Sequence, residues 1–190
     1  MTEETIIIVS GLPRSGTSMM MKMLEAGGLP SLTDNIRTAD DDNPKGYYEF
    51  ERVKQIENDS EWLPQASGKA VKMISALLKH LPEDYEYKVI FMHRKMAEIL
   101  ASQRRMLVRR GELTEKVDDD TMRQLFEKHL RQVENWLAKR PNYDVLYVSY
   151  NAILEHPANF AAEINQFLGN TLDENAMTGV IDPALYRQRR

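Results

Sequence analysis

The feature that most constrains this 190-residue chain is an apolar run that leads through a glycine-bounded loop into a helical pattern. The run Ile6-Ile7-Ile8-Val9 predicts a buried strand, and the pattern after Thr17 predicts a helix. Gly11 and Gly16 enclose the loop between them. The first backbone N–H groups of a helix have no intrahelical partner and attract an anion. The segment is therefore a candidate phosphate-binding loop.

The loop departs from the nucleotide-triphosphatase motif at one position. Gly11 and Gly16 have the spacing of G-x-x-x-x-G-K-[ST], but Thr17 stands where that motif has its lysine. The cation inside the loop is Arg14 instead. In addition, no apolar strand of the sequence ends in an aspartate of the kind that holds magnesium in kinases. Both observations disfavour a P-loop kinase.

Predicted strands alternate with predicted helices along the whole chain, which indicates a three-layer α/β/α sandwich around a mainly parallel sheet. A chain of this length is typical of one domain, so we predict that residues 1–190 form a single unit. Residues 33–46 are dense in turn-forming residues and are predicted to be a loop. The strands are predicted at residues 5–10, 70–74, 87–93 and 145–148. The helices are predicted at residues 17–26, 49–62, 96–110, 118–139 and 157–168.

Composition excludes several classes of function. The chain has no cysteine, and its four histidines have no metal-ligand spacing, so no metal site is predicted. A formal net charge of -4 disfavours general nucleic-acid binding, which needs a basic excess. No run of about 18 apolar residues exists, and Glu3 and Glu4 stand where a signal peptide would be basic. We therefore predict a cytoplasmic protein without a membrane span.

A second candidate anion site follows the strand at residues 87–93. Arg94 comes directly after it, and Ser102 lies eight positions further on. Carboxyl ends of parallel strands border the ligand crevice, so Arg94 is expected beside the first loop. Eight positions is about 12 Å of helix, so Arg94 must precede the helix and reach back. A guanidinium with a hydroxyl is a good receptor for a phosphate.

Three segments together resemble the sulfotransferase family that uses 3′-phosphoadenosine 5′-phosphosulfate (PAPS). Residues 11–18, G-L-P-R-S-G-T-S, are similar to that family's 5′-phosphosulfate loop. Residues 89–103, with Arg94 and Ser102, are similar to its 3′-phosphate motif, and residues 147–169 to a largely structural element. Two positions depart from the family pattern: Met96 replaces a common proline, and Asn151 replaces an acidic residue.

The resemblance implies a fold like that of the P-loop nucleoside triphosphate hydrolases and metal-independent, in-line transfer of a sulfonate. The donor would be PAPS, the product adenosine 3′,5′-bisphosphate (PAP), and the acceptor a hydroxyl or amine on a small molecule, glycan or peptide. Arg14 would stabilise the leaving group. The alternatives are a P-loop phosphotransferase and a non-catalytic protein that binds a nucleotide bisphosphate. The donor-binding residues implied by the resemblance are Arg14, Ser15, Gly16, Thr17, Ser18, Arg94 and Ser102.

The acceptor also needs a general base, and the sequence offers more than one. Glu49 is our first choice, because the element G-Y-Y-E at residues 46–49 resembles bacterial members of the family. Glu51 and His93 are the alternatives. Lys72, on the strand at 70–74, is a candidate for a sulfonate contact, although an edge or surface lysine fits the same pattern. The basic C-terminus, residues 187–190, is a further candidate donor contact.

Overall fold

The predicted strand, loop and helix at the start of the chain are confirmed. A computed structural model describes residues 5–34, 48–111 and 118–181, and only the backbone of Arg110. Strand β1 spans Thr5–Gly11 with all seven residues buried. Helix α1 follows at Thr17–Ala26. The phosphate-loop candidate therefore connects a fully buried strand to a helix N-terminus.

The sheet has four strands in the described part of the chain, in the order β2-β1-β3-β4, and every pairing is parallel. Because all strands run the same way, their carboxyl ends share one edge. Gly11 of β1 pairs with Ile74 and Met92, and His93 pairs with Ser149, so these four strand ends are level. The other strands are β2 (Ala70–Ile74), β3 (Glu86–His93) and β4 (Tyr143–Ser149).

Side chains of β1 alternate between two cores, one on each face of the sheet. Ile7 and Val9 pack with residues of α1 and of the helical segments that follow β4, whereas Ile6 and Ile8 pack with Trp62 and Leu137. Removal of these apolar surfaces from water is the main stabilising term. The three-layer sandwich is confirmed. The remaining helices are α2 (Met96–Arg110), α3 (Asp119–Leu137), α4 (Tyr150–Glu155), α5 (Pro157–Phe167) and α6 (Glu174–Gly179).

The helix predicted at residues 49–62 is wrong. Only a 3₁₀ turn, Glu51–Gln55, forms there. Asp34 accepts a hydrogen bond from the Glu51 backbone N–H at 2.6 Å, and Arg52 forms an ion pair with Asp59. Turn-forming residues and these tertiary contacts outweigh the local helical pattern, while Trp62 is still carried into the core.

Other boundaries agree closely with the sequence. Helix α2 has the predicted limits, and Gly111 ends it with a positive φ of 66°. Helix α3 begins one residue after Asp118, whose carboxylate accepts the Thr121 N–H. The short helices α4 and α6 were not predicted. The predicted loop at 33–46 lies outside the described residues apart from positions 33 and 34, and so does the basic C-terminus.

Within the described ranges, no helix is long and apolar enough to cross a membrane. The same ranges contain no group of three or more histidine, aspartate or glutamate side chains arranged to hold a metal ion.

Candidate active site

The loop after β1 is a tight turn, and neighbouring groups pack closely against both of its glycines. The Ser15 N–H donates to the Leu12 carbonyl at 3.1 Å. A Cβ on Gly11 would lie 2.6 Å from the Met92 carbonyl oxygen, and one on Gly16 would lie 2.4 Å from the Tyr150 ring. Gly16 also has a φ of 104°. Only glycine fits these positions without displacing a neighbouring strand or ring.

Arg14 occupies the tip of the loop in a left-handed conformation with a φ of 70°. That conformation is uncommon for a residue with a side chain. It turns the guanidinium toward α2, where the Arg14 Nε donates to the Ser102 Oγ at 2.9 Å. Arg94 Nη1 donates to the Arg14 carbonyl oxygen at 3.2 Å. The structure thus brings the two sequence-predicted anion sites into direct contact.

Arg94 lies between β3 and α2, as the spacing to Ser102 requires. Its side chain is 9% exposed and forms an ion pair with Glu98, whose side chain is fully buried. The guanidinium also stacks on the Tyr150 ring, 4.4 Å from its centroid. Burial raises the pKa of Tyr150, and the positive charge of Arg94 opposes that rise. Two cations, Arg14 and Arg94, and the positive end of α1 therefore meet at one edge of the sheet.

The polar residues that follow Arg14 differ in exposure. Thr17 and Ser18 are half-buried in the first turn of α1. Ser15 is only 1% exposed. Among the residues that the structure describes, the buried hydroxyls of Ser15 and Ser10 have no hydrogen-bond partner. The first turn of α1, rather than the Ser15 hydroxyl, forms the accessible polar surface beside Arg14.

Glu49 forms an ion pair with Lys72 of β2. Lys72 Nζ is 3.7 Å from Glu49 Oε1, and the side chains are 13% and 20% exposed. Lys72 is on β2, one of the two edge strands of the described sheet, in register with Val9 of β1. The Thr33 hydroxyl donates to the Glu49 carbonyl oxygen at 2.9 Å and fixes the backbone there. The predicted base is therefore a largely buried carboxylate with a cationic neighbour.

The two alternative bases have different surroundings. Glu51 pairs with Lys54 on the surface, and both side chains are exposed. His93 Nε2 lies 3.4 Å from a Glu134 carboxylate oxygen, and its ring packs on Phe91. Burial lowers the pKa of His93, an effect opposed by Glu134.

The faces of the sheet separate these candidates further. Strand alternation places Lys72 on the face covered by α1, because its neighbours Val71 and Met73 belong to the opposite core. His93 follows Phe91 on that opposite face. Lys72 therefore shares a face with the helix that follows the loop, and His93 does not.

Comparison with known proteins decides the family. The sulfotransferase domain family matches residues 4–188 of this chain. The chain belongs to the sulfotransferase domain family. The resemblance inferred from the three sequence segments is confirmed. No curated protein is similar enough in sequence to count as a relative.

Solved sulfotransferase structures share the fold. A sulfotransferase domain from the curacin biosynthetic pathway is 15% identical, with a TM-score of 0.56, over 94% of this chain and 78% of that one. Mouse sulfotransferase SULT7A1 complexed with PAP is 18% identical, with a TM-score of 0.59, over 95% and 63%. Retinol dehydratase with androsterone and inactive cofactor PAP is 16% identical, with a TM-score of 0.56, over 95% and 64%. This chain spans less than two thirds of the length of the latter two proteins. The shared fold confirms the predicted fold class.

Sequence reasoning missed the residues that surround Arg94 in this sulfotransferase domain. Glu98 lies four positions after Arg94, a spacing at which helical neighbours interact, so it could have been found. Asn151, noted only as a departure from the family, donates from Nδ2 to both Glu98 carboxylate oxygens at 3.0 and 3.2 Å. Its Oδ1 accepts the Lys95 N–H at 3.2 Å. No local pattern links positions 98 and 151.

Proposed function

We propose that this sulfotransferase domain transfers a sulfonate group from PAPS to a hydroxyl or amine acceptor without a metal ion. The observation that carries the proposal is the contact of Arg14 with both Ser102 and Arg94 at the edge where the strand ends meet. Two adjacent cationic subsites, one of them at a helix N-terminus, suit a nucleotide with separate 5′ and 3′ phosphates. Family membership and the structural neighbours that were solved with PAP support the same donor.

The donor would bind with each phosphate at one subsite. The 5′-phosphosulfate would lie over the backbone of Gly16, Thr17 and Ser18, and Ser15 would support the turn from beneath. The 3′-phosphate would lie against Arg94 and the Ser102 hydroxyl. Arg14 would then stand between the two phosphates, where its charge faces the oxygen that joins phosphorus to sulfur.

The reaction would proceed by in-line displacement at sulfur. The acceptor oxygen forms the new S–O bond while its proton passes to the Glu49 carboxylate. The bond between sulfur and the bridging oxygen breaks, and its electron pair stays on the departing PAP. Arg14 and the N–H groups of the first turn of α1 would stabilise that charge, because donors held in place by the fold need little reorganisation during the reaction.

Lys72 would serve the Glu49 step. Before the reaction its ammonium group lies 3.7 Å from the carboxylate that must accept a proton and forms an ion pair with it. Once Glu49 is protonated, the pair loses its attraction, and the Lys72 charge can interact with the sulfonate oxygens. This assigns Lys72 a role beyond that of an edge lysine.

We further propose that the acceptor is a small molecule that carries a hydroxyl group. Retinol dehydratase, a structural neighbour, has been crystallised with androsterone and with retinol, and both compounds are alcohols. Glycan or peptide hydroxyls are the broader class. A cytoplasmic location and a single domain over residues 1–190 stay predictions from the sequence.

Titration calorimetry with PAP in the presence of EDTA tests the donor assignment. We expect one PAP per chain to bind without magnesium. Binding of ATP that depends on magnesium, without binding of PAP, would instead indicate the phosphotransferase alternative. Transfer of labelled sulfonate from PAPS to a panel of alcohols and amines then separates an enzyme from a non-catalytic PAP-binding protein, which would show affinity but no transfer.

A further inference from the structure

We infer that Glu98 and Asn151 are positioning residues that orient Arg94 toward the donor's 3′-phosphate, an inference that rests on the proposed function. The two side chains and Arg94 form one buried cluster, which we call the Arg94 clamp. Glu98 accepts from Arg94 Nε at 2.9 Å and from Asn151 Nδ2 at 3.0 Å. The clamp joins the end of β3, the first turn of α2 and the start of α4.

Glu98 is a buried carboxylate. Its side chain has no solvent exposure, and a buried carboxylate is stable only when charge and hydrogen bonds compensate it. Arg94 supplies the charge and Asn151 supplies a second donor. Since Glu98 takes the Nε side of the guanidinium, it limits which side of Arg94 a phosphate can approach. Glu98 thus selects which edge of Arg94 meets the donor.

The Arg94 guanidinium is contacted from several sides. It lies over the Tyr150 ring, and Nη1 donates to the Arg14 carbonyl oxygen. The ring, the loop carbonyl and Glu98 therefore contact the guanidinium from three directions. Loss of the Glu98 contact frees rotation about the end of the Arg94 side chain, which lowers the preorganisation of the 3′-phosphate subsite.

The contacts at position 151 favour an asparagine over an aspartate. Asn151 uses its amide N–H to bind Glu98 and its carbonyl oxygen to bind the Lys95 N–H at the start of α2. An aspartate there would place a second carboxylate about 3 Å from Glu98 in a buried site, where two like charges repel strongly. The clamp therefore tolerates one carboxylate, at 98 or at 151, but not two.

The experiment compares affinities for PAP and for AMP, which lacks the 3′-phosphate, by calorimetry on the full chain. Glu98→Gln and Asn151→Asp should each reduce the PAP preference over AMP about tenfold or more, the size expected for a hydrogen bond to a charged group. The double variant E98Q/N151D restores one carboxylate and one amide, and should return the preference to within about threefold of the wild type. AMP affinity should stay nearly constant throughout.

Asn165 offers a matched control, because it makes the same type of contacts elsewhere. It donates to Glu174 at 2.8 Å, accepts the Leu172 N–H at 2.8 Å and is 6% exposed, against 9% for Asn151. Asn165→Asp should lower the melting temperature without changing the PAP preference over AMP. An equal loss of preference in this control would mean that general destabilisation explains the effect, and would overturn the inference.

The remaining outcomes are also decisive. A wild type that binds PAP no better than AMP contradicts the proposed function itself. A wild type that prefers PAP, with E98Q and N151D variants that keep the preference, overturns only the positioning role. If E98Q does not fold, Asn151→Ala removes the amide without adding charge, and retention of the full PAP preference by that variant overturns the role equally.

Discussion

The donor side and the base side of this site are built in different ways. Arg14 and Arg94 lie at junctions where a strand ends and a helix begins, and Ser102 lies within helix α2. Glu49 lies in an irregular segment that contains only 3₁₀ turns up to the start of β2. The donor side is therefore fixed mainly by sheet register, whereas the base side depends on individual tertiary contacts such as that between Thr33 and Glu49.

The difference agrees with what each side must recognise. A nucleotide bisphosphate has fixed charges at fixed separation, which suits groups held by a rigid sheet edge. Acceptor binding is more often assigned to loops, which vary without disturbing a core. If this division holds, changes on the base side should alter turnover and spare PAP affinity. Changes on the donor side should alter PAP affinity, turnover or both.

The largest effect is expected for Glu49→Gln, which would separate the two sides most clearly. Removal of a general base lowers turnover about 10²- to 10⁴-fold. PAP affinity should stay within about threefold of the wild type, since we assign Glu49 to the acceptor rather than to the donor phosphates. The measurements are steady-state sulfonate transfer and PAP calorimetry. Glu51→Gln is the control, because its carboxylate pairs with Lys54 at the surface, and its turnover should be unchanged.

Arg14→Ala tests the donor side with the next largest effect. Loss of one preorganised donor at a developing anion costs about 2.7 to 4 kcal/mol, so turnover should fall about 10²- to 10³-fold. Because Arg14 also binds Ser102, PAP affinity should fall as well. Arg104→Ala is a suitable control, since Arg104 is 63% exposed on α2 and pairs with Asp119. Turnover of the Arg14 variant within threefold of the wild type would exclude Arg14 as the leaving-group cation.

Ser102→Ala should have a smaller effect on the same side. One hydroxyl contact is worth about 0.5 to 1.5 kcal/mol, so PAP affinity should fall roughly two- to tenfold, with AMP affinity unchanged. Ser75→Ala removes a comparable buried hydroxyl, which lies 2.8 Å from His129 Nε2. That variant should lose stability but keep PAP affinity. Equal losses of PAP and AMP affinity in the Ser102 variant would contradict the assignment of its hydroxyl to the 3′-phosphate.

The features that could be predicted from the sequence lie mainly on the donor side, and those that could not depend on tertiary contacts. The limits of α1 and α2 were predictable because apolar periodicity and glycine ends act locally. The approach of Arg94 to the loop was predictable because parallel strands end at one edge. The helix predicted at 49–62 failed because Asp34 accepts the Glu51 N–H and because Arg52 pairs with Asp59 within the segment, and apolar periodicity reveals neither contact. The pairing of Asn151 with Glu98 could not be predicted from the sequence, because 53 positions separate the two residues and no local pattern links them.

His93 provides the smallest test, because it lies beside Arg94 in sequence but on the opposite face of the sheet from Lys72. Burial holds the pKa of His93 in the folded protein below the ordinary value of 6.5. At a pH between the folded-state pKa and 6.5, the unfolded chain therefore binds more protons than the folded one. The free energy of unfolding should therefore fall as the pH drops below about 6.5, and His93→Gln should weaken that dependence in denaturant titrations at several pH values. Burial and Lys79 lower the pKa of His129 as well, so part of the slope should remain. Turnover of the His93 variant should stay within a few-fold of the wild type, whereas a hundredfold loss would identify His93 as the base in place of Glu49.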